Sequence, residues 1–210
     1  MKVRVIGSGS VARSLGRCFT ARGDEVMLGS RSPEKLEEWR SESGEESAGT
    51  MAEAAAHGEL LVMAAKGTEV ESAVAEGGAE SFDGKVLMDV TNPPVFGEGV
   101  PTLAWGTTDS GGERLQRAVL GAKVVKTLNI VNAGQMVDPE VPNGPATMFV
   151  AGEDEEAKAE VTGILGDFGW SGVIDLGGIE AARELESLCV LWVRYAVPAH
   201  DFGAAFRLLR

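Results

Sequence analysis

Val3-Arg4-Val5-Ile6-Gly7-Ser8-Gly9-Ser10-Val11-Ala12, followed by Glu25-Val26-Met27-Leu28-Gly29-Ser30-Arg31, is the stretch that decides the fold. A short apolar run ends in a glycine-rich turn. The turn opens onto a helical pattern from Val11 to about Ala21, and a second apolar run follows. This is the order of a strand, a tight turn, a helix and a second strand. In such a unit the first glycine makes the turn, and the second lets backbone N–H groups approach a pyrophosphate on the helix N-terminus. Gly7, Ser8, Gly9, Ser10 and Val11 are therefore expected to cradle a dinucleotide, with Ala12 where a third glycine is common. The tip of the second strand separates NAD from NADP, because an acidic residue there bonds the ribose 2′-OH and repels a 2′-phosphate. Here the tip carries Ser30, Arg31 and Ser32, with Lys35 one turn further on. A hydroxyl, a guanidinium and an ammonium at that place favour NADP(H) over NAD(H). The plainer alternatives are a βα turn without a ligand and a solvated loop with incidental charges. The position of the motif, directly after a strand and with the next strand on schedule, weighs against them.

Outward from this unit, strands and helices keep alternating, as an α/β, Rossmann-type doubly wound parallel sheet requires. A helix is expected from Pro33 to about Ser43, and another from Thr50 to Ala56 with Thr50 and Glu53 as a capping box. Strands follow at 60–64, 85–90 and 123–128, helices at 68–76 and 113–120, and residues 91–109 read as loop. Beyond Val131 come a strand at 148–150, a helix at 154–168, a strand near Val173 and a long final helix. We therefore divide the chain into an NADP-binding Rossmann domain, residues 1–130, and a small C-terminal α/β appendage, residues 131–210, ending in the long helix.

Ligands of open α/β sheets lie across the carboxyl ends of the strands. Besides the glycine loop and Ser30-Arg31, those ends are Ala64-Ala65-Lys66, Thr91-Asn92-Pro93-Pro94 and Asn129 to Gly134. Ala64 and Ala65 are small enough for a ribose or nicotinamide to pass, or serve packing alone. Lys66 is either a phosphate or ribose contact or a solvated loop lysine. Asn92 either bonds a carboxamide or caps the turn before Pro93. Asn129, Asn132 and Ala133 are candidates to border the nicotinamide or a second substrate.

The chain has 210 residues, 44% hydrophobic, and a net charge of −13, which argues against nucleic acid as a partner. The excess acid sits in runs such as Glu34 to Glu46 that read as solvated helix faces. Its apolar runs are too short to span a membrane. Met1-Lys2-Val3 enters the first strand without a signal peptide, and Cys18 and Cys189 read as buried thiols without metal-ligand spacing. A cytoplasmic protein without a metal is the expectation.

Val5-Ile6-Gly7-Ser8-Gly9, Gly29-Ser30-Arg31, Lys126-Thr127-Leu128-Asn129 and the run from Gly177 to Glu186 together resemble the coenzyme F420-dependent NADP oxidoreductases. The pattern is also similar to the NADPH-binding domain of STEAP-type metalloreductases. The resemblance implies NADP in the glycine-loop cleft and a second redox cofactor, F420 or a flavin, stacked on the nicotinamide. By that likeness Ser30, Arg31 and Lys35 hold the 2′-phosphate, and Asn129 to Gly134 borders the second ring.

Reduction of a carbonyl or imine asks for a proton donor in the second domain, and no lysine follows Lys158. His57 and His200 read as solvated or capping, and Tyr195, the lone tyrosine, as a packing residue of a hydrophobic helix end or a proton donor. Hydride transfer between two ring cofactors needs stacking and dryness instead. Trp170, Trp192, Met136 and Met148 are candidates to line such a slot, or plain core. An apolar stripe through Ile179, Ala182, Leu185, Leu188, Cys189, Trp192 and Val193 suggests a homodimer through the last helix. The first reading is thus an NADP(H) oxidoreductase working on F420 or a flavin. A non-catalytic NADP(H) sensor or partner-protein module is the alternative, and a carbonyl or imine reductase comes third.

Overall fold

A computed structural model describes residues 1–44, 47–99, 101–142 and 144–209. Glu45 and Glu46, the end of the acidic run above, lie outside the described residues. The chain begins with β1 (Lys2–Ile6), α1 (Ser10–Ala21), β2 (Glu25–Ser30), α2 (Glu37–Ser43), β3 (Ala48–Thr50), α3 (Met51–His57) and β4 (Leu60–Met63). It continues with α4 (Val70–Gly77), β5 (Val86–Asp89), β6 (Pro94–Val95), β7 (Thr102–Leu103), α5 (Gly111–Ala118) and β8 (Lys123–Lys126). β9 (Thr147–Val150), α6 (Glu155–Asp167), β10 (Gly172–Asp175) and α7 (Ala182–Ala199) complete it.

The main sheet is parallel throughout, in the order β3-β2-β1-β4-β5-β8. Its central strands are apolar without alternation, because helices cover both faces: β4 and β5 are buried along their whole length. One face packs Val3, Val5 and Val62 against Leu15 and Phe19 of α1 and Val161 and Leu165 of α6. The other packs Ile6, Leu61 and Leu87 against Ala54 of α3, Val74 of α4 and Leu115 of α5. The first of these cores runs on without interruption to Met148 and Trp170, and Phe19 meets Phe168 edge to face at 5.1 Å. β9 and β10 pair in parallel, and an antiparallel bridge between Lys126 and Ala151 (N–H···O 2.8 and 3.1 Å) joins them to the end of β8.

The expected capping box is present: Thr50 Oγ1 accepts from the Glu53 N–H at 3.1 Å, and the Thr50 N–H donates to Glu53 Oε2 at 2.7 Å. Elsewhere the structure departs from the sequence reading. β3 spans three residues, too few to register as a pattern. The helix expected from Pro33 starts as a 3-10 turn, Pro33–Leu36, before α2. Residues 91–109, read as loop, contain the antiparallel β6–β7 ladder. Tyr195 is not a packing residue. It is 55% exposed and its hydroxyl donates to Asp201 at 3.1 Å. The two histidines agree with the sequence reading: His57 ends α3 and is exposed, and exposed His200 adopts a left-handed conformation (φ 52°) as the C-cap of α7. Among the described residues, no helix is long and apolar enough to cross a membrane.

Candidate active site

Strand order reverses between β1 and β4, and the crevice at their carboxyl ends is where a doubly wound sheet takes its ligand. Gly7 closes it from below. Its φ is +146°, and a Cβ there would lie 2.5 Å from the Ala64 carbonyl oxygen, so only glycine lets the β1–α1 turn lie against the end of β4. Gly9 is different, because a Cβ at that position would meet nothing within 4 Å. It is the N-cap of α1, whose first turn carries no acidic residue. The first N–H of α1 to find a helical acceptor is that of Arg13, bonded to the Gly9 carbonyl at 3.0 Å. The donors of Ser10, Val11 and Ala12 are left for a ligand. Open space facing free N–H groups at the positive end of a helix dipole suits a pyrophosphate.

On one side of the glycine loop a cavity of about 280 Å³ is lined by Gly7, Ser8, Gly9, Ser30, Arg31, Ala64, Ala65 and Lys66, with Met51, Glu69, Ser72, Ala73 and Glu76 opposite. Ser30 is buried at the tip of β2, and its Oγ accepts from the Ser32 N–H at 3.1 Å. Arg31 is exposed and reaches Glu69 Oε2 at 2.5 Å, and Lys66 stands 3.7 Å from Glu69 Oε1. Lys35 sits exposed in the 3-10 turn after β2, outside the lining of this cavity.

On the other side a cavity of about 310 Å³ shares Ala64 and Ala65 with the first, so the two form one cleft around the loop. Ser10, Val11, Val90, Thr91, Asn92, Asn129, Val131, Asn132, Ala133, Met136, Cys189 and Trp192 complete its wall. Trp170 and Met148, weighed above as lining, belong to the core instead. Asn92 and Asn129 are tied to each other: Asn92 Nδ2 donates to the Asn129 carbonyl at 2.7 Å, and Asn129 Nδ2 donates to Asn92 Oδ1 at 2.9 Å. Asn129 Nδ2 also donates to the Leu185 carbonyl at 3.0 Å, pinning the wall to α7. Asn132 closes an Asx turn on Gly134 and Gln135 and donates to the Phe202 carbonyl. Burial pushes the Cys189 thiol up to about 11, so it stays neutral at physiological pH. Beyond Trp192 lies a groove of about 620 Å³ between α7, Val141, Pro142, Gly144 and Ala146, and the 201–207 segment. It is larger than either half of the cleft but away from the strand ends.

The sequence reading missed a cluster just beneath the cleft. Lys126 Nζ, fully buried at the end of β8, donates to Asp89 Oδ2 at 3.0 Å, to Glu186 Oε1 at 2.9 Å and to the Thr91 carbonyl at 2.6 Å. Glu186 also accepts from the N–H groups of Gly111 and Gly112 at the start of α5, at 3.0 and 3.1 Å. Asp89 accepts from the Thr91 N–H and hydroxyl at 2.9 and 2.7 Å. Burial alone would depress the Lys126 ammonium. The two carboxylates more than offset it and hold its pKa above the ordinary lysine value. The available signal was the placing of the charges: Lys126 and Asp89 at the ends of apolar strands, and Glu186 inside the apolar stripe of the last helix. Among the described residues no three His, Cys, Asp or Glu side chains come together as a metal site.

A parallel sheet with a glycine-loop cleft of this charge pattern defines a dinucleotide-binding oxidoreductase fold, and comparison with known proteins gives the family. Residues 2–93 match the family described as NADP oxidoreductase, coenzyme F420-dependent. The chain is similar over its full length to a crystal structure of an Arthrobacter sp. FB24 protein provisionally named an F420-dependent NADP reductase. Identity is 39%, the TM-score is 0.95, and 100% of each chain is covered. It is 24% identical to the F420-dependent NADP reductase of Methanocaldococcus jannaschii, across 99% of this chain and 98% of that one. It is 27% identical to metalloreductase STEAP3 of Rattus norvegicus, across 89% of this chain but 36% of the rat protein, so the chain spans about a third of that relative. The chain belongs to the F420-dependent NADP oxidoreductase family and is an NADP-dependent oxidoreductase.

Proposed function

We propose that the protein passes hydride between NADP(H) and coenzyme F420. One observation carries this reading: the charged and uncharged halves of the cleft meet at Ala64 and Ala65, and the uncharged half has no Asp, Glu, Lys, Arg, His or Tyr among the described residues that line it. A dinucleotide with its phosphates on α1 would present its nicotinamide to that uncharged half. F420, when bound, supplies the ring that exchanges hydride with the nicotinamide. The chain's own part is to bind, orient and exclude water. In this reading the N–H groups of Ser10 and Val11 hold the pyrophosphate, Ser30 and Arg31 the 2′-phosphate, with Lys35 reaching in from its turn, and Lys66 a ribose or phosphate. Val11, Met136 and Trp192 keep the transfer dry, and the Asn92–Asn129 pair fixes the wall. A carbonyl or imine reductase would need an acid in this place, and the neutral Cys189 thiol is a poor one.

We further propose a cytoplasmic homodimer. Cys18 and Cys189 are both free, in keeping with a reducing compartment. Leu191, Tyr195, Val197 and Phe202, each at least 51% exposed, make α7 and the segment after it an apolar face of the kind that a second copy covers.

The test is anaerobic oxidation of NADPH followed at the nicotinamide absorbance, with F420, FMN, FAD or no acceptor offered in parallel. Turnover with F420 alone is expected. Turnover confined to a flavin would replace the partner, and tight NADPH binding without turnover would make the protein a sensor.

A further inference from the structure

The pocket assigned to the 2′-phosphate is not simply basic. Arg31 and Lys66 face Glu69 and Glu76 across it, two cations against two carboxylates. Glu69 holds the Arg31 guanidinium at 2.5 Å and stands 3.7 Å from the Lys66 ammonium. The backbone turn that carries it is tied to the segment after β5 and closed on itself, which keeps Glu69 beside the pocket while its side chain can turn. The Gly67 N–H donates to the Asn92 carbonyl at 3.1 Å, and the Glu69 N–H donates to the Lys66 carbonyl at 2.8 Å.

Arginine binds a carboxylate or a phosphate with the same planar fork, so a 2′-phosphate on Arg31 meets an occupant already in place. We propose that Glu69 is a specificity-determining residue that competes with the 2′-phosphate for Arg31. The pair opens when NADP(H) binds and stays closed over a ligand with a free 2′-hydroxyl. Glu69 thereby lowers the affinity for NADPH, leaves that for NADH nearly unchanged, and narrows the difference between the two. The inference rests on the reading of the cleft as an NADP(H) site. The pair is half open to water, with side-chain exposures of 56% for Arg31 and 34% for Glu69. Exchange of one anion for another is therefore inexpensive, whereas in a dry site it would not be.

The experiment is titration of the wild-type protein and the Glu69→Gln variant with NADPH, NADH, 2′,5′-ADP and 5′-AMP by calorimetry, with unfolding midpoints as a control for folding. Glutamine keeps the shape and removes the charge. The expected result is an NADPH and 2′,5′-ADP affinity about three- to tenfold tighter in the variant, the scale of an exposed ion pair plus one relieved repulsion. NADH and 5′-AMP should shift less than about twofold on the same scale. Weaker NADPH binding in the variant would make Glu69 a strap that holds the adenosine, and an unchanged NADPH-to-NADH ratio would leave it without a role; either overturns the proposal. Failure of the wild-type protein to bind NADPH or 2′,5′-ADP at all would overturn the cleft assignment itself, a result distinguishable from the other two.

Discussion

Two clusters in this molecule pair a lysine or arginine with carboxylates, and they have opposite characters. Lys126 with Asp89 and Glu186 is closed off from solvent, and all three protons of its ammonium are bonded, to Asp89, Glu186 and the Thr91 carbonyl. Arg31 with Glu69 and Lys66 sits at the mouth of the cleft, largely exposed. In the interior, a charge without its partner is costly, so the first cluster is a permanent brace holding α7 against the strand ends where the nicotinamide is expected. At the surface the same chemistry is cheap to rearrange, so the second can exchange its carboxylate for a phosphate. Burial rather than residue type separates the scaffold cluster from the one proposed to bind the 2′-phosphate.

The largest effect should come from breaking the brace. Lys126→Met keeps most of the volume and leaves two buried carboxylates without their cation, and we expect a loss of about 3–5 kcal/mol in urea unfolding. A loss below about 1 kcal/mol would place the brace on a level with an ordinary surface pair. At the exposed cluster, Arg31→Ala should cost little stability but weaken NADPH about ten- to hundredfold, the worth of a hydrogen bond to a charged group, with NADH nearly unaffected. Equal loss for both dinucleotides would remove Arg31 from the 2′-phosphate.

The two glycines of the loop repeat the contrast on a smaller scale. Gly7→Ala drives a Cβ into the Ala64 carbonyl at a positive φ and should destabilise the fold by about 1–3 kcal/mol. Gly9→Ala enters open space, so it should stay within about 1 kcal/mol of the wild type in stability and still weaken NADPH, by obstructing the pyrophosphate. Nearly equal effects of the two on folding would contradict the difference drawn between them.

The smallest effect is one of pH. Because the Lys126 pKa is raised in the folded state, its contribution is fully present below the ordinary lysine value and is lost as pH rises through the folded value. Stability should therefore fall on the alkaline side, above about pH 10, and Lys126→Met should flatten that limb. An unchanged alkaline limb in the variant would assign it to other groups.

Local patterns carried most of the sequence reading. The long apolar strands, the capping box at Thr50 and the glycine loop each declare themselves within a few neighbouring residues. Ser30 and Arg31 were legible as cavity residues for the same reason, since they follow directly on a strand. What escaped depends on distant partners. Glu69 lies 38 residues from Arg31, and the two meet only because β2 and β4 both end at the crevice. Lys126 and Glu186 are 60 apart, and each looked like an interruption of an apolar run until the sheet and α7 were assembled. β3 was too short to show a period, and Leu191, Tyr195 and Val197, which α7 turns to solvent, are of the same apolar type as its inward residues.

We propose direct hydride transfer between the nicotinamide and a deazaflavin in the uncharged half of the cleft. It is tested most directly with NADPH carrying deuterium at the nicotinamide carbon that gives up hydride, incubated anaerobically with the protein and F420, followed by mass spectrometry of the reduced F420. We predict one deuterium retained in the deazaflavin ring, from one face of the nicotinamide only. Reduced F420 without deuterium from either labelled face, or no reduction while NADPH binds, would contradict the account.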